Sequence, residues 1–230
     1  MIEVTRRDAA PASLAESERY DGEDVVEALY ADFLGKCYLC ETKVQPGTFT
    51  IDHRKPQGAG QFPELRRAWT NLFPTCNTHN CNGRRRKLYP AGGLLDPGGG
   101  HRVEERLAQR LEQPSAVLAS AGTRFVFEAV QEGDAAAVNT AEELRRIHEG
   151  GDSYPRAQRT AGALRGAILA HVELIARKLV ELQGAEGAAR EARARELRAL
   201  FSRRAPYTML VRSCFAGSAV AQALFEEGAR

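Results

Sequence analysis

Four cysteines constrain this chain more than any other feature. Cys37 and Cys40 are separated by two residues, Cys76 and Cys81 by four, and 35 residues lie between the two pairs. A Cys-x-x-Cys hook wraps a tetrahedral metal, and four thiolates suit a closed structural Zn²⁺ site. The alternative is four reduced thiols packed in a core. His79, between Cys76 and Cys81, could take the place of one ligand. The segment between 35 and 90 has few large apolar side chains, so metal binding would supply much of its folding free energy. A fifth cysteine, Cys214, stands apart in the apolar run "MLVRSCFAGSAV" and reads as a buried structural thiol.

The 230-residue chain is 43% hydrophobic and 27% charged, ordinary for a soluble globular protein. No stretch approaches the roughly 18 apolar residues of a membrane span. The first thirty residues lack the apolar core of a signal peptide, so we expect a cytoplasmic protein without disulfides and with no membrane partner. The formal net charge is +2, but it is uneven. Residues 1–34 hold three Arg against nine Asp or Glu, a net of −6, whereas residues 35–90 hold ten Lys or Arg against three acids, a net of +7. The basic surplus sits with the cysteines and suits a polyanionic partner, or else a solvated basic face.

Residues 1–20 are polar and are expected to be poorly ordered. The spacing of Val25, Val26, Leu29, Tyr30, Phe33 and Leu34 predicts a helix over 22–34, stopped at Gly35. Pro46-Gly47 separates two β-compatible runs and predicts a short hairpin with "TFTID" as its second strand. "ELRRAWTNLF" predicts a helical turn running into an extended "NLFPTC", and "CNTHNCNGRRRKLY" a turn followed by a short basic helix. Residues 90–101, rich in Gly and Pro, read as a linker or irregular segment at a boundary. Beyond it, "RVEERLAQRLEQ" reads as a helix, "RFVFEAVQ" as a strand, and "TAEELRRIHE" as a helix with a Thr140 capping box. A long helix over 158–182 and an Arg/Glu/Ala-rich helix complete the chain.

The insert between the cysteine pairs carries "IDHRKP", then "AWTNLFPTC", then "NCNGRRRK". The Cys-x-x-Cys, Asp-His, Trp-x-Asn-Leu and Cys-Asn-x-x-Arg elements, in that order over residues 35–88, resemble the HNH nuclease family. The last element is Cys-Asn here, where many members have Cys-His. The resemblance implies a β-hairpin and helix around one divalent metal, the ββα-metal fold, and endonuclease activity on DNA. It implies His53 as general base, Asp52 and Asn82 as ligands of a catalytic Mg²⁺ or Mn²⁺, and Asn71 as the residue that holds the hairpin and orients the base. The chemistry agrees. Histidine titrates near working pH, and carboxylate and amide oxygens suit a hard cation. Arg84, Arg85, Arg86 and Lys87 follow, well placed to meet phosphates. Trp69 reads as core packing, and His101, His148 and His171 lie outside the motif.

The expected architecture is therefore α+β. Residues 1–34 form an N-terminal segment and helix, 35–90 a zinc-stabilised ββα-metal HNH module, and 91–230 a mainly α-helical region. The order of elements in that last region is similar to the HNH nuclease subunit of Septu-type (PtuB-like) anti-phage systems. This implies docking on a separate ATPase subunit that regulates cutting. No "GxxxxGK[ST]" occurs here, so a P-loop nucleotide site in this chain is not expected. The competing expectation is a zinc-stabilised nucleic-acid-binding or interaction module without catalysis.

Overall fold

The computed structural model describes residues 1–79, 81–82, 88–112, 123–150 and 155–227. It is a mixed α and β structure. A single turn, α1 (Ser13–Glu16), precedes α2 (Glu23–Asp32). The helix stop comes from main-chain geometry. Gly35 N–H bonds to the Tyr30 carbonyl at 2.8 Å and Leu34 N–H to Ala31 at 3.1 Å, the paired bonds of a Schellman motif. Leu34 (φ 58°) and Gly35 (φ 63°) are both left-handed, and a Cβ on Gly35 would meet the Tyr30 ring at 3.0 Å.

The predicted hairpin is replaced by a different pairing. β1 (Phe49–His53) runs antiparallel to β2 (Leu72–Cys76), with Phe49 opposite Cys76 and His53 opposite Leu72. Residues 36–44 do not form the first strand. Their peptide groups are consumed by the cysteine hook itself: Cys37 N–H bonds to Thr42, Glu41 N–H to Cys37, and only Lys36 and Lys43 bridge. The hook instead joins the other edge of β2, through Tyr38 N–H to the Pro74 carbonyl at 2.9 Å. Pro74 is tolerated in a strand because proline lacks only the donor. The predicted helical turn before β2 is present as two 3-10 turns, Pro63–Leu65 and Trp69–Asn71. The expected basic helix falls on residues 83–87, outside the described residues.

The N-terminal residues are packed, contrary to expectation. Met1 and Ile2 are buried, and Val4 N–H bonds to the Pro97 carbonyl at 2.7 Å. Arg6 lies 3.9 Å from the centroid of the Trp69 ring, a cation–π contact that consumes both side chains structurally. The 90–101 segment is irregular, as its glycines predict, yet Leu95 is fully buried and Asp96 pairs with Arg54 at 3.4 Å.

The expected helix at 102–113 is also corrected. Only α3 (Val103–Arg106) is helical. The chain then extends as β3 (Leu107–Glu112), antiparallel to β4 (Arg124–Ala129), the strand expected at that position. Leu107 and Leu111 are four apart, a spacing compatible with both a helix face and one side of a strand. The partner strand decides the matter. α4 (Ala135–Glu149) starts earlier than its Thr signal. Asp134 caps it by accepting from Ala137 N–H at 3.1 Å, and Thr140 is interior, donating to Ala136 at 2.7 Å. α5 (Pro155–Gln183) and α6 (Gly187–Phe201) match the two expected helices, and α7 (Thr208–Cys214) and α8 (Ala219–Glu227) follow. One hydrophobic cluster runs from Leu29 through the cysteines and Phe73 to Leu95, Phe127, Leu144, Ile168 and Phe201. No helix among the described residues is long and apolar enough to cross a membrane.

Candidate metal centre and the Asp–His pair

The sequence requires two hooks, and the structure brings all four together. The Sγ atoms of Cys37, Cys40, Cys76 and Cys81 lie within 4.8 Å of one another, and every one of these residues is buried. Cys76 Sγ is 3.6 Å from both Cys40 and Cys81. Sulfurs about 2.3 Å from a central zinc would form a tetrahedron with edges of about 3.8 Å, so the set fits a metal such as zinc. The thiol acidities also diverge. Burial alone would raise Cys37, but hydrogen bonds from the other three sulfurs hold it well below an ordinary thiol. Cys40, mainly through burial, and Cys81, mainly through its sulfur neighbours, are pushed well above one. Four thiols this close resist joint ionisation unless a cation offsets the charge. Cys214 is half-buried on α7, away from the cluster. Its thiol donates to the Leu210 carbonyl, and burial pushes its pKa up to about 11.

Two sets of contacts surround the cluster, the first at His79, which the sequence offered as a possible ligand. His79 is buried, with Nδ1 3.8 Å from Cys40 Sγ, 3.7 Å from Cys76 Sγ and 3.1 Å from the Thr42 hydroxyl. The Thr42 hydroxyl in turn donates to the Tyr207 hydroxyl at 3.3 Å, from the turn before α7. Next to the hook, Glu41 receives Lys36 Nζ at 3.1 Å, the Met1 amine at 2.9 Å and Thr208 N–H at 2.9 Å. These are buried charges with partners on every side, and they bind the hook to the C-terminal helices.

Cys76 ends β2 opposite Phe49, so the sulfur cluster holds one end of the ribbon and His53 stands at the other. Four residue steps along the strand separate the two ends, about 13 Å at 3.3–3.4 Å per step. Asp52 and His53 are neighbours on β1 and therefore point to opposite faces. Asp52 is buried and accepts from the Tyr38 hydroxyl at 2.6 Å. His53 is half-buried. Its Nε2 lies 2.9 Å from the Arg66 carbonyl, and Tyr20 packs edge-on against the ring at 4.6 Å. A carbonyl only accepts, so Nε2 carries a proton and donates to it. The Arg66 guanidinium lies over the Tyr20 ring at 5.8 Å.

Asn71 is buried and bonds to Lys55 from both sides: Oδ1 accepts Lys55 N–H at 2.7 Å and Nδ2 donates to the Lys55 carbonyl at 3.0 Å and to Leu65 at 3.3 Å. The Asn71 carbonyl also accepts Arg54 N–H at 3.0 Å. The amide thus clamps the chain just beyond His53. Asn82 is exposed, one residue after the buried Cys81. Arg84, Arg85, Arg86 and Lys87 lie outside the described residues. No family model, curated protein or solved structure matches the chain.

Proposed function

We propose that the chain is a metal-dependent HNH-type endonuclease that hydrolyses phosphodiester bonds of DNA. The supporting observation is the clamp at the end of the ribbon. The sulfur cluster fixes one end of β1–β2; at the other, Asn71 clamps Lys55 just beyond His53 and the Arg66 carbonyl accepts from the His53 ring. His53, positioned by the Arg66 contact, is the base that takes the proton from the attacking water. Asp52 and Asn82 would hold the catalytic Mg²⁺ or Mn²⁺, and their donor set, two hard oxygens to be completed by water, fits such a cation. A divalent ion bound there would offset negative charge on the phosphate and the leaving oxygen. The basic surplus of residues 35–90 would draw in the polyanion.

We further propose that this nuclease is the cutting subunit of an anti-phage complex, with an ATPase docked on the helical region. The rival is a zinc-stabilised nucleic-acid-binding module without catalysis. One observation favours it: the Asp52 carboxylate is buried against Tyr38, as a structural acid would be. Cleavage of supercoiled plasmid with Mg²⁺ or Mn²⁺, with and without chelator, separates the two. His53→Ala should lower the cutting rate by roughly 10²- to 10⁴-fold at unchanged zinc content. Equal cutting by wild type and His53→Ala would end the nuclease proposal, and repeating the assay with the ATPase subunit tests its regulation.

A further inference from the structure

The second hook contains a residue that the four-sulfur set leaves unused. Cys76 and His79 are separated by two residues, the same spacing as Cys37 and Cys40, whereas Cys81 comes two residues later still. His79 is 4% exposed, so its imidazole is committed to the interior. Its Nδ1 lies 3.8 Å from Cys40 Sγ and 3.7 Å from Cys76 Sγ, nearly the 3.6 Å that separates Cys76 Sγ from Cys40 and Cys81. A nitrogen and a sulfur bound to one zinc are about 3.6 Å apart, so Nδ1 already stands close to ligand distance from two members of the set. The Thr42 hydroxyl, 3.1 Å away and tied to Tyr207, holds the ring at that edge of the cluster.

We infer that His79 is a stand-in ligand: when the Cys81 thiolate is lost, its imidazole completes the tetrahedron with Cys37, Cys40 and Cys76. Neutral imidazole for thiolate is an ordinary exchange at zinc, and a three-sulfur, one-nitrogen set is a normal structural site. The exchange would keep the hook folded while releasing Cys81, the residue that tethers Asn82. This inference rests on the metal centre alone and does not depend on the nuclease proposal.

The test loads the full chain with Zn²⁺, and separately with Co²⁺, whose absorption reports thiolate count and nitrogen ligation. Cys81→Ala should retain one metal per chain, with the cobalt bands shifted to a three-sulfur, one-nitrogen set. His79→Ala should retain one metal with four sulfurs, and the double variant should lose it. Loss of metal from Cys81→Ala as complete as from the double variant overturns the inference. So does retention by the double variant, since another group would then be filling the site. Should Cys81→Ala fail to fold, the pair His79→Cys with Cys81→Ala decides. One cobalt held by four thiolates supports the inference, and no bound metal overturns it. A wild-type chain that binds neither metal removes the metal centre and this inference together, whatever the nuclease assay reads.

Discussion

The Tyr38 hydroxyl donates to Asp52 Oδ2 across 2.6 Å, joining the inside of the first cysteine hook to the acid near the end of β1. Both residues are buried, so the bond replaces water that the carboxylate cannot reach. Tyr38→Phe keeps the ring against Phe73, 4.8 Å between centroids, and removes only the donor. We expect a loss of about 1–3 kcal/mol in urea unfolding. Zinc content should be unchanged, because the hydroxyl is not one of the sulfur donors. An unaltered midpoint would mean that Asp52 takes its support elsewhere.

Asn71 makes the larger clamp. Its side chain closes both main-chain groups of Lys55 and reaches Leu65, and no single apolar residue can replace it. Asn71→Ala strands the half-buried Lys55 main-chain groups and should cost about 1–3 kcal/mol. Asn71→Asp keeps the acceptor but loses the donors, and should fall between Ala and wild type. If the clamp orients His53, cleavage should drop further than folding does, under conditions where the variant is still folded by circular dichroism.

How much of this was legible beforehand depends on the range of each interaction. The cysteine hooks, the Asp-His pair and the long α5 helix are local patterns, readable from spacing. The partner of β1 was not. Pro46-Gly47 signals a turn whichever strand follows, and nothing local shows that the hook spends its own peptide groups on Cys37, Thr42 and Glu41. The Leu107–Leu111 segment is ambiguous for a related reason, since a spacing of four satisfies both periods. Thr140-x-x-Glu143 mimics a cap, while Asp134 is the actual one, six residues upstream. Tyr38, Thr42 and Tyr207 are invisible as site residues because their importance arises only when distant segments meet.

Metal removal should be felt far from the cysteines. Glu41 and Thr42, which follow the first hook directly, bond to Thr208 and Tyr207 at the start of α7. A strong chelator should therefore lower the melting temperature and also raise hydrogen exchange at residues 207–211, along with β1 and β2. Exchange that rises in the ribbon but not in α7 would show that the hook and the C-terminal helices open independently.

The acid limb of the stability curve should begin with a histidine that no site uses. His148 on α4 is buried between Phe125 and Phe127, with ring centroids 5.9 and 4.6 Å away. Its Nδ1 lies 2.8 Å from the Leu144 carbonyl, and Nε2 has no hydrogen-bond partner among the described residues. Burial, reinforced by the nearby N-terminal amine and His79, lowers its pKa from 6.5 to about 3, against the smaller raising effects of the Leu144 carbonyl and Glu41. The folded state thus holds this ring neutral while the unfolded chain protonates it. Below pH 6.5 the unfolded state binds more protons, so stability falls with pH down to about 3, by up to about 5 kcal/mol at 1.36 kcal/mol per unit. Glu41 adds a second loss lower down. Although burial alone would raise it, the N-terminal amine and Lys36 hold its carboxyl at about 2 against an ordinary 4.5, so its contribution is complete above pH 4.5 and fades toward 2. His171, also lowered by burial, acts in the same direction as His148. Between pH 6.5 and 4.5, His148→Phe should remove most of the slope of melting temperature against pH, and His171→Phe only a minor part. A His148→Phe variant with the wild-type slope would place the acid sensitivity in another group.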